Sequence, residues 1–152
     1  MANQEHVDRL RQRAGAWNRW RKQHPDVQPD LSGAHLSEVD LSGIDLYNVD
    51  LIKTNLYKAN LSGANLHNVY LISADLRETN LSEATLQRVC LAGARLKGAN
   101  LSGARLSGAD LYNQDLRGVD LSRADLSGAS LNEANLHGAH LKAAKLRQAD
   151  LR

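Results

Sequence analysis

Between residues 31 and 151 leucine occupies every fifth position without exception, from Leu31 to Leu151. The residue two places before each leucine is mostly alanine or valine, and the residue between them is usually aspartate or asparagine. A helix repeats every 3.6 residues and a strand every two, so neither explains a period of five. Two inward residues around one outward residue predict a short extended segment, and the two polar or glycine residues that follow suit a corner. The pattern therefore predicts a coil with flat sides.

A second, longer period gives the number of sides. Residues other than the repeat leucines recur at a spacing of twenty: Ser42, Ser62, Ser82, Ser102 and Ser122, and also Asn60, Asn80 and Asn100. Twenty residues at five a side make four sides. We expect the coils to stack about 4.8 Å apart with parallel pairing, and about six coils to form an all-β solenoid rod.

Residues 1–29 follow a different pattern. Their apolar residues recur at helical spacing, with arginines between them: Val7, Leu10, Ala14, Trp17 and Trp20. Asn3 is a suitable N-cap and Pro25 would end the helix near His24. A single amphipathic helix is unstable alone, and the open end of the first coil offers an apolar surface for it. The sequence thus predicts an N-terminal α-helical cap and linker (1–29) followed by a repeat domain (30–152).

The repeat A-[D/N]-L-x-x over residues 30–152 resembles the pentapeptide-repeat family. The resemblance implies a right-handed quadrilateral parallel β-helix. The stretch WNRWRKQHPDVQPDL also resembles the segment that precedes the repeats in cyanobacterial members. Most members of the family have no assigned activity, and some cyanobacterial members are implicated in cell differentiation and regulation.

Net charge, cysteine content and the absence of long apolar runs disfavour several classes of protein function. The formal net charge is +2, and basic and acidic residues nearly balance along the repeats, which disfavours both a nucleic-acid binder and an acidic nucleic-acid mimic. Cys90 is the only cysteine, so no intrachain disulfide is expected. The charged N-terminus is not a signal peptide and no apolar run could span a membrane, so we expect a cytoplasmic protein without membrane contact.

The interior and the turns leave little room for catalysis. Leucines stacked along the axis should fill the core, and the carboxylates before successive leucines point away from one another. His137 and His140 lack further metal ligands nearby in sequence. We therefore expect no enzyme activity, no metal site and no cofactor. Gln114 occupies an inward slot, so its amide should bond a backbone group or swing outward. A local bulge or backbone hydrogen bond is the favoured interpretation, and a functional kink is the alternative.

Two outward surfaces are candidate protein-binding sites. The first, the apolar strip, comprises Ile52, Tyr70, Ile72, Cys90, Ala92 and Tyr112. Contiguous exposed apolar surface often marks an interaction site, although scattered exposed aliphatic residues are normal. The second, the cationic face, comprises Lys58, Arg77, Arg95, Lys97 and Arg117. It fits either an acidic partner or a solvated face of mixed charges.

The favoured function is therefore a non-catalytic protein-interaction or scaffold module with an unknown protein partner. The alternative is a DNA mimic that binds DNA gyrase, which the near-neutral charge of the repeats disfavours. Direct nucleic-acid binding lacks the expected aromatic platforms. A monomer is favoured over a dimer through the C-terminal end, because the cations of the last coil would repel one another.

Overall fold

The computed structural model describes residues 1–152 and contains two helices, α1 (Gln4–Arg11) and α2 (Ala14–Gln23). The side chain of Asn3 caps α1, as predicted, by accepting a hydrogen bond from the amide of Glu5 at 3.0 Å. The C-cap of α2 is His24, and Pro25 follows it. Both ends of the predicted helical region are thus confirmed.

The prediction of one continuous helix is wrong, because the chain breaks between α1 and α2. At Arg13 φ is 138°, a value that residues with side chains rarely adopt. A straight helix of twenty residues would be about 30 Å long, whereas a five-residue side of the rod extends at most about 18 Å. The break allows Val7 and Leu10 of α1 and Trp17 of α2 to reach the same core.

From Asp30 onward the chain forms single-residue parallel bridges with the residue twenty positions later. The first bridge joins Asp30 and Asp50, and the last joins Ser130 and Asp150. The amide of Leu31 donates to the carbonyl of Asp50 at 2.9 Å, and this bond recurs along the rod. The predicted spacing of twenty is therefore the spacing of the observed pairing. No continuous strand forms, because only one residue bridges between successive turns.

The second residue of each corner adopts a left-handed backbone conformation. The value of φ is 57° at Lys58 and 69° at Gly103. Glycine reaches this region without a steric penalty, which explains its frequency there. At Gly103 a side chain would also collide with the carboxylate of Glu83, which lies on the preceding circuit, that is, the preceding coil of twenty residues.

The leucines fill the axis of the rod. Every repeat leucine from Leu31 to Leu131 is at most 2% exposed, and the alanine, valine and isoleucine residues beside them are mostly buried as well. Both cavities of the structure open on the surface. The interior is therefore solid, as predicted. Exposure rises in the final circuit, where Leu151 is 56% exposed.

Side chains of the helices bond to the open edge of the first circuit. The indole of Trp17 donates to the carbonyl of Asp45 at 2.7 Å, and Arg21 donates to the carbonyl of Tyr47 at 2.7 Å. The side-chain oxygen of Asn18 accepts from the amide of Asp45 at 2.8 Å. In later circuits the equivalent groups pair with the preceding circuit. The helices thus satisfy edge groups that have no preceding circuit to pair with.

Candidate functional site

The structure brings the apolar strip together as two adjacent columns on the rod. The amide of Lys53 donates to the carbonyl of Ile72 at 2.9 Å, so the side chains that follow Leu51 and Leu71 stack directly. Tyr70 and Cys90 form a parallel bridge in the neighbouring column. Each column therefore repeats once per circuit, as the sequence predicts.

The members of the apolar strip differ in exposure. Tyr70 is 42% exposed and Tyr112 is 54% exposed, while Ile52 and Ile72 are half-buried. The hydroxyl of Tyr112 donates to the carboxylate of Glu133 at 3.3 Å, and the negative charge of Glu133 raises the pKa of Tyr112. Tyr112 is thus tied to the following circuit. The N-terminal part of the strip is its continuous apolar surface, and it comprises Ile52, Tyr70 and Ile72.

A surface groove of about 760 Å³ lies between α1 and the first two circuits, next to the apolar strip. Val7, Ala34 and Ile52 provide apolar walls, and Arg11 and Lys53 provide positive charge. Ile52 belongs to both the groove and the strip. Sequence reasoning missed the groove, because its shape depends on where α1 packs against the rod.

The cationic face is a network of ion pairs. The guanidinium of Arg77 lies 2.5 Å from the carboxylate of Asp75, and Arg95 lies 3.6 Å from the same carboxylate. Lys58 pairs with Glu78 at 3.7 Å. Arg117 pairs with Asp115 at 2.7 Å, whereas Lys97 has no ion pair. Lys97 is thus the one unpaired cation of the five.

Hydrogen bonding from arginine changes the acidity of the carboxylates on this face. Arg117 donates to both oxygens of Asp115, at 2.8 and 2.7 Å, and lowers the pKa of Asp115 to about 2. Arg77 lowers the pKa of Asp75 in the same way. The sequence signal for these pairs was the triplet Asp-Leu-Arg, in which two outward residues flank an inward leucine.

Gln114 lies inside the rod and bonds the backbone, which confirms one of its two predicted outcomes. Its side-chain amide donates to the carbonyl of Leu91 at 2.6 Å, and the residue is 4% exposed. Thr54 and Thr79 occupy equivalent inward slots and donate to the corresponding leucine carbonyls at 2.9 and 2.7 Å. A polar inward residue therefore pairs with the leucine of the preceding circuit.

The ladder of backbone hydrogen bonds between neighbouring circuits is interrupted beside Gln114. Between residues 88–98 and residues 107–117 the short backbone hydrogen bonds that connect neighbouring circuits elsewhere are missing. Cys90 and Asp110 still form a bridge there, whereas Arg95 and Asp115 form none. The amides of Leu96, Gly98 and Asp115 therefore lack their usual carbonyl partners. A crevice of about 220 Å³ lies here on the cationic face. Arg77, Arg95, Lys97 and Asp115 contribute to its walls. Sequence reasoning missed this crevice.

The geometry contains neither a metal-binding cluster nor a membrane-spanning helix. Nowhere do three histidine, cysteine, aspartate or glutamate side chains converge as metal ligands would. Neither helix has the length and apolar character that a membrane span requires.

Comparison with known proteins gives one family. The family model for pentapeptide repeats matches eight copies over residues 30–68, 64–103, 94–132, 104–142 and 120–152. No curated protein sequence matches this chain.

Solved structures of pentapeptide repeat proteins are similar to this chain. One, Rfr23 from the cyanobacterium Cyanothece 51142, is 30% identical and has a TM-score of 0.52, with 89% of this chain and 97% of that chain covered. Another, alr5209 from Nostoc PCC 7120, is 30% identical with a TM-score of 0.53, covering 76% and 83%. A third, from the thylakoid lumen of Arabidopsis thaliana, is 30% identical with a TM-score of 0.53, covering 69% and 70%. Such proteins form right-handed quadrilateral β-helices and are generally non-catalytic.

Proposed function

Because the chain belongs to the pentapeptide repeat family, we propose that it is a non-catalytic module that binds a partner protein through the apolar strip. The rod presents its side chains at a fixed spacing on flat faces, which suits recognition of an extended surface. A filled axis offers no enclosed pocket for a substrate. Binding at an outer face is the activity that such an architecture supports best.

One observation carries the proposal. Ile52 and Ile72 stack at outward positions, directly after the repeat leucine, where most five-residue repeats place serine, lysine or arginine, and the exposed ring of Tyr70 lies in the adjacent column. The groove beside α1 continues this surface past Ile52. Aromatic residues such as tyrosine are enriched at protein–protein interfaces.

The test is affinity capture from the native host with Ile72→Lys as the variant. Ile72 is outward, so the substitution should leave the fold intact while placing a charge in the centre of the strip. Ser82→Lys is the matched control, because Ser82 occupies the equivalent corner position on a different face. We expect Ile72→Lys to lose the partner and Ser82→Lys to retain it. Equal recovery with both variants would reject the apolar strip.

The proposed function also assigns a role to the N-terminal helices, a compartment and an oligomeric state. We infer that α1 and α2 together act as the N-terminal cap of a rod of about six coils, because repeat rods need their exposed ends covered. The protein is proposed to act as a cytoplasmic monomer. Light scattering that gave twice the mass of one chain would overturn the monomer.

A further inference from the structure

The interrupted ladder leaves the buried amide of Leu96 without an acceptor. From Leu31 to Leu131 the amide of every repeat leucine donates to the carbonyl nineteen residues later at hydrogen-bond distance, except at Leu91 and Leu96. Leu91 still lies beside a bridge between Cys90 and Asp110, whereas Arg95 and Asp115, beside Leu96, form no bridge. Leu96 is 1% exposed, and no side chain supplies the missing acceptor. Buried amides are almost always paired with protein or with water. The crevice therefore has room and need for an acceptor from outside the chain.

The charges around the crevice favour an anionic acceptor. Lys97 has no ion pair, and Arg95 has only the 3.6 Å contact with Asp75, which Arg77 already holds at 2.5 Å. Asp115 is the one acid in the crevice wall, and Arg117 binds both of its oxygens. The acids near the crevice are thus neutralised by their own arginines, while Lys97 and Arg95 remain in excess.

We propose that this crevice binds one oxyanion, a carboxylate or phosphate group. The amide of Leu96, which lines the crevice and lacks an acceptor, donates to it, and Lys97 and Arg95 supply the positive charge. A volume of about 220 Å³ accommodates several water-sized groups of about 30 Å³ each, which suits a single oxyanion. This site lies beyond the apolar strip and does not depend on it.

Gln114 is the positioning residue of this site. Thr54 and Thr79 make the same bond to a leucine carbonyl, yet the ladder closes around both of them. The side-chain donor of glutamine lies two bonds farther from the backbone than that of threonine, and the series of bridges is interrupted only beside Gln114, between Arg95 and Asp115. Gln114→Thr should keep the backbone bond to Leu91, restore the ladder and close the crevice.

The experiment is titration of the ¹⁵N-labelled full chain with sodium phosphate and, separately, with sodium acetate at constant ionic strength. We expect a saturable shift of the Leu96 amide signal. Lys97→Gln should weaken binding about tenfold, and Gln114→Thr should abolish it. Lys142→Gln, which removes a distant cation, should bind like the unaltered protein. Saturation by phosphate alone identifies a phosphate site, and saturation by acetate identifies a carboxylate site.

Hydrogen exchange provides the second readout. Without anion, the amide of Leu96 should exchange faster than that of Leu76, and Gln114→Thr should slow it. The proposal is overturned if neither anion gives saturable shifts or if Gln114→Thr binds equally well. Protection of Leu96 equal to that of Leu76 in the unaltered protein would also overturn it.

Discussion

At the scale of the residue, the alternation of leucine with a small neighbour explains why the rod is solid. Leucines from adjacent circuits stack along the axis, and alanine or valine at the second inward position leaves room for them. Polar residues enter this interior only where a leucine carbonyl accepts their hydrogen bond, as it does from Thr79 and Gln114. Burial of each leucine contributes about 1.5–3 kcal/mol.

Truncation of a central leucine should therefore be costly. We expect Leu76→Ala to lower the free energy of unfolding by about 2–5 kcal/mol, because neighbouring circuits cannot collapse into the space. Leu151→Ala is the control, since Leu151 is 56% exposed and should change stability by less than about 1 kcal/mol. Urea denaturation followed by circular dichroism measures both. Equal effects at the two positions would contradict a leucine-filled axis.

The acidity of Asp115 depends on one neighbour. Removal of the guanidinium in Arg117→Gln should raise the pKa of Asp115 from about 2 towards its ordinary value of 3.8. Because the pKa is lowered in the folded state, this pair stabilises the fold above pH 4 and loses its contribution as the pH falls towards 2. NMR titration of the carboxyl carbon measures the shift. Arg123→Gln should leave Asp115 unchanged, and an equal shift there would refute the assignment to Arg117.

Residue patterns predicted more of the interior than of the surface. The period of five identified the buried positions, and the inward slot of Gln114 left two outcomes, a backbone bond or an outward side chain, of which the structure shows the bond. The crevice was not predictable, because sequence alone does not say whether the ladder closes over a larger side chain. The pairing of Asp75 with Arg77 was readable from their spacing across Leu76, since both side chains point outward there.

At the scale of the element, α1 and α2 substitute for a missing circuit. Trp17, Asn18 and Arg21 reach backbone groups of the first circuit that have no preceding circuit to pair with. These contacts support the proposal that the helices act as the cap of the rod, because an uncovered edge is free to pair with other chains. Helical spacing in the sequence identified the buried face of this region, but not the break at Arg13, which depends on the width of the rod beneath it.

The two tryptophans of α2 should differ in their effects on stability. Trp17→Phe removes the donor to the carbonyl of Asp45 within a fully buried site, so we expect a loss of about 1–3 kcal/mol in the free energy of unfolding. Trp20→Phe removes an indole that makes no hydrogen bond and keeps a ring to stack on His24. Its loss should be smaller. A larger loss for Trp20→Phe in denaturant unfolding would contradict the edge contacts.

At the scale of the whole molecule, the rod separates stability from recognition. The axis holds the fold together, while each outer face can vary without disturbing it. Basic and acidic residues balance along residues 31–152, and most cations of the cationic face are paired with acids. Such a surface lacks the strong negative field of a nucleic-acid duplex.

The balance of charge predicts no interference with DNA gyrase. We expect supercoiling of relaxed plasmid to proceed at the same rate with and without a molar excess of the protein. An acidic DNA mimic would instead slow the reaction or alter cleavage. Concentration-dependent inhibition would therefore show that shape alone, without the charge, is sufficient for gyrase binding.

A circuit of twenty residues is the premise of every face assignment, and disulfide trapping tests it most directly. In a Cys90→Ser background, Ser62→Cys with Ser82→Cys places two thiols on adjacent circuits about 4.8 Å apart, within the range that a disulfide spans. Ser62→Cys with Gln87→Cys, twenty-five residues apart, places them on different faces. We predict that oxidation links the first pair within the monomer and leaves the second pair reduced. A link in the second pair and none in the first would contradict the twenty-residue circuit.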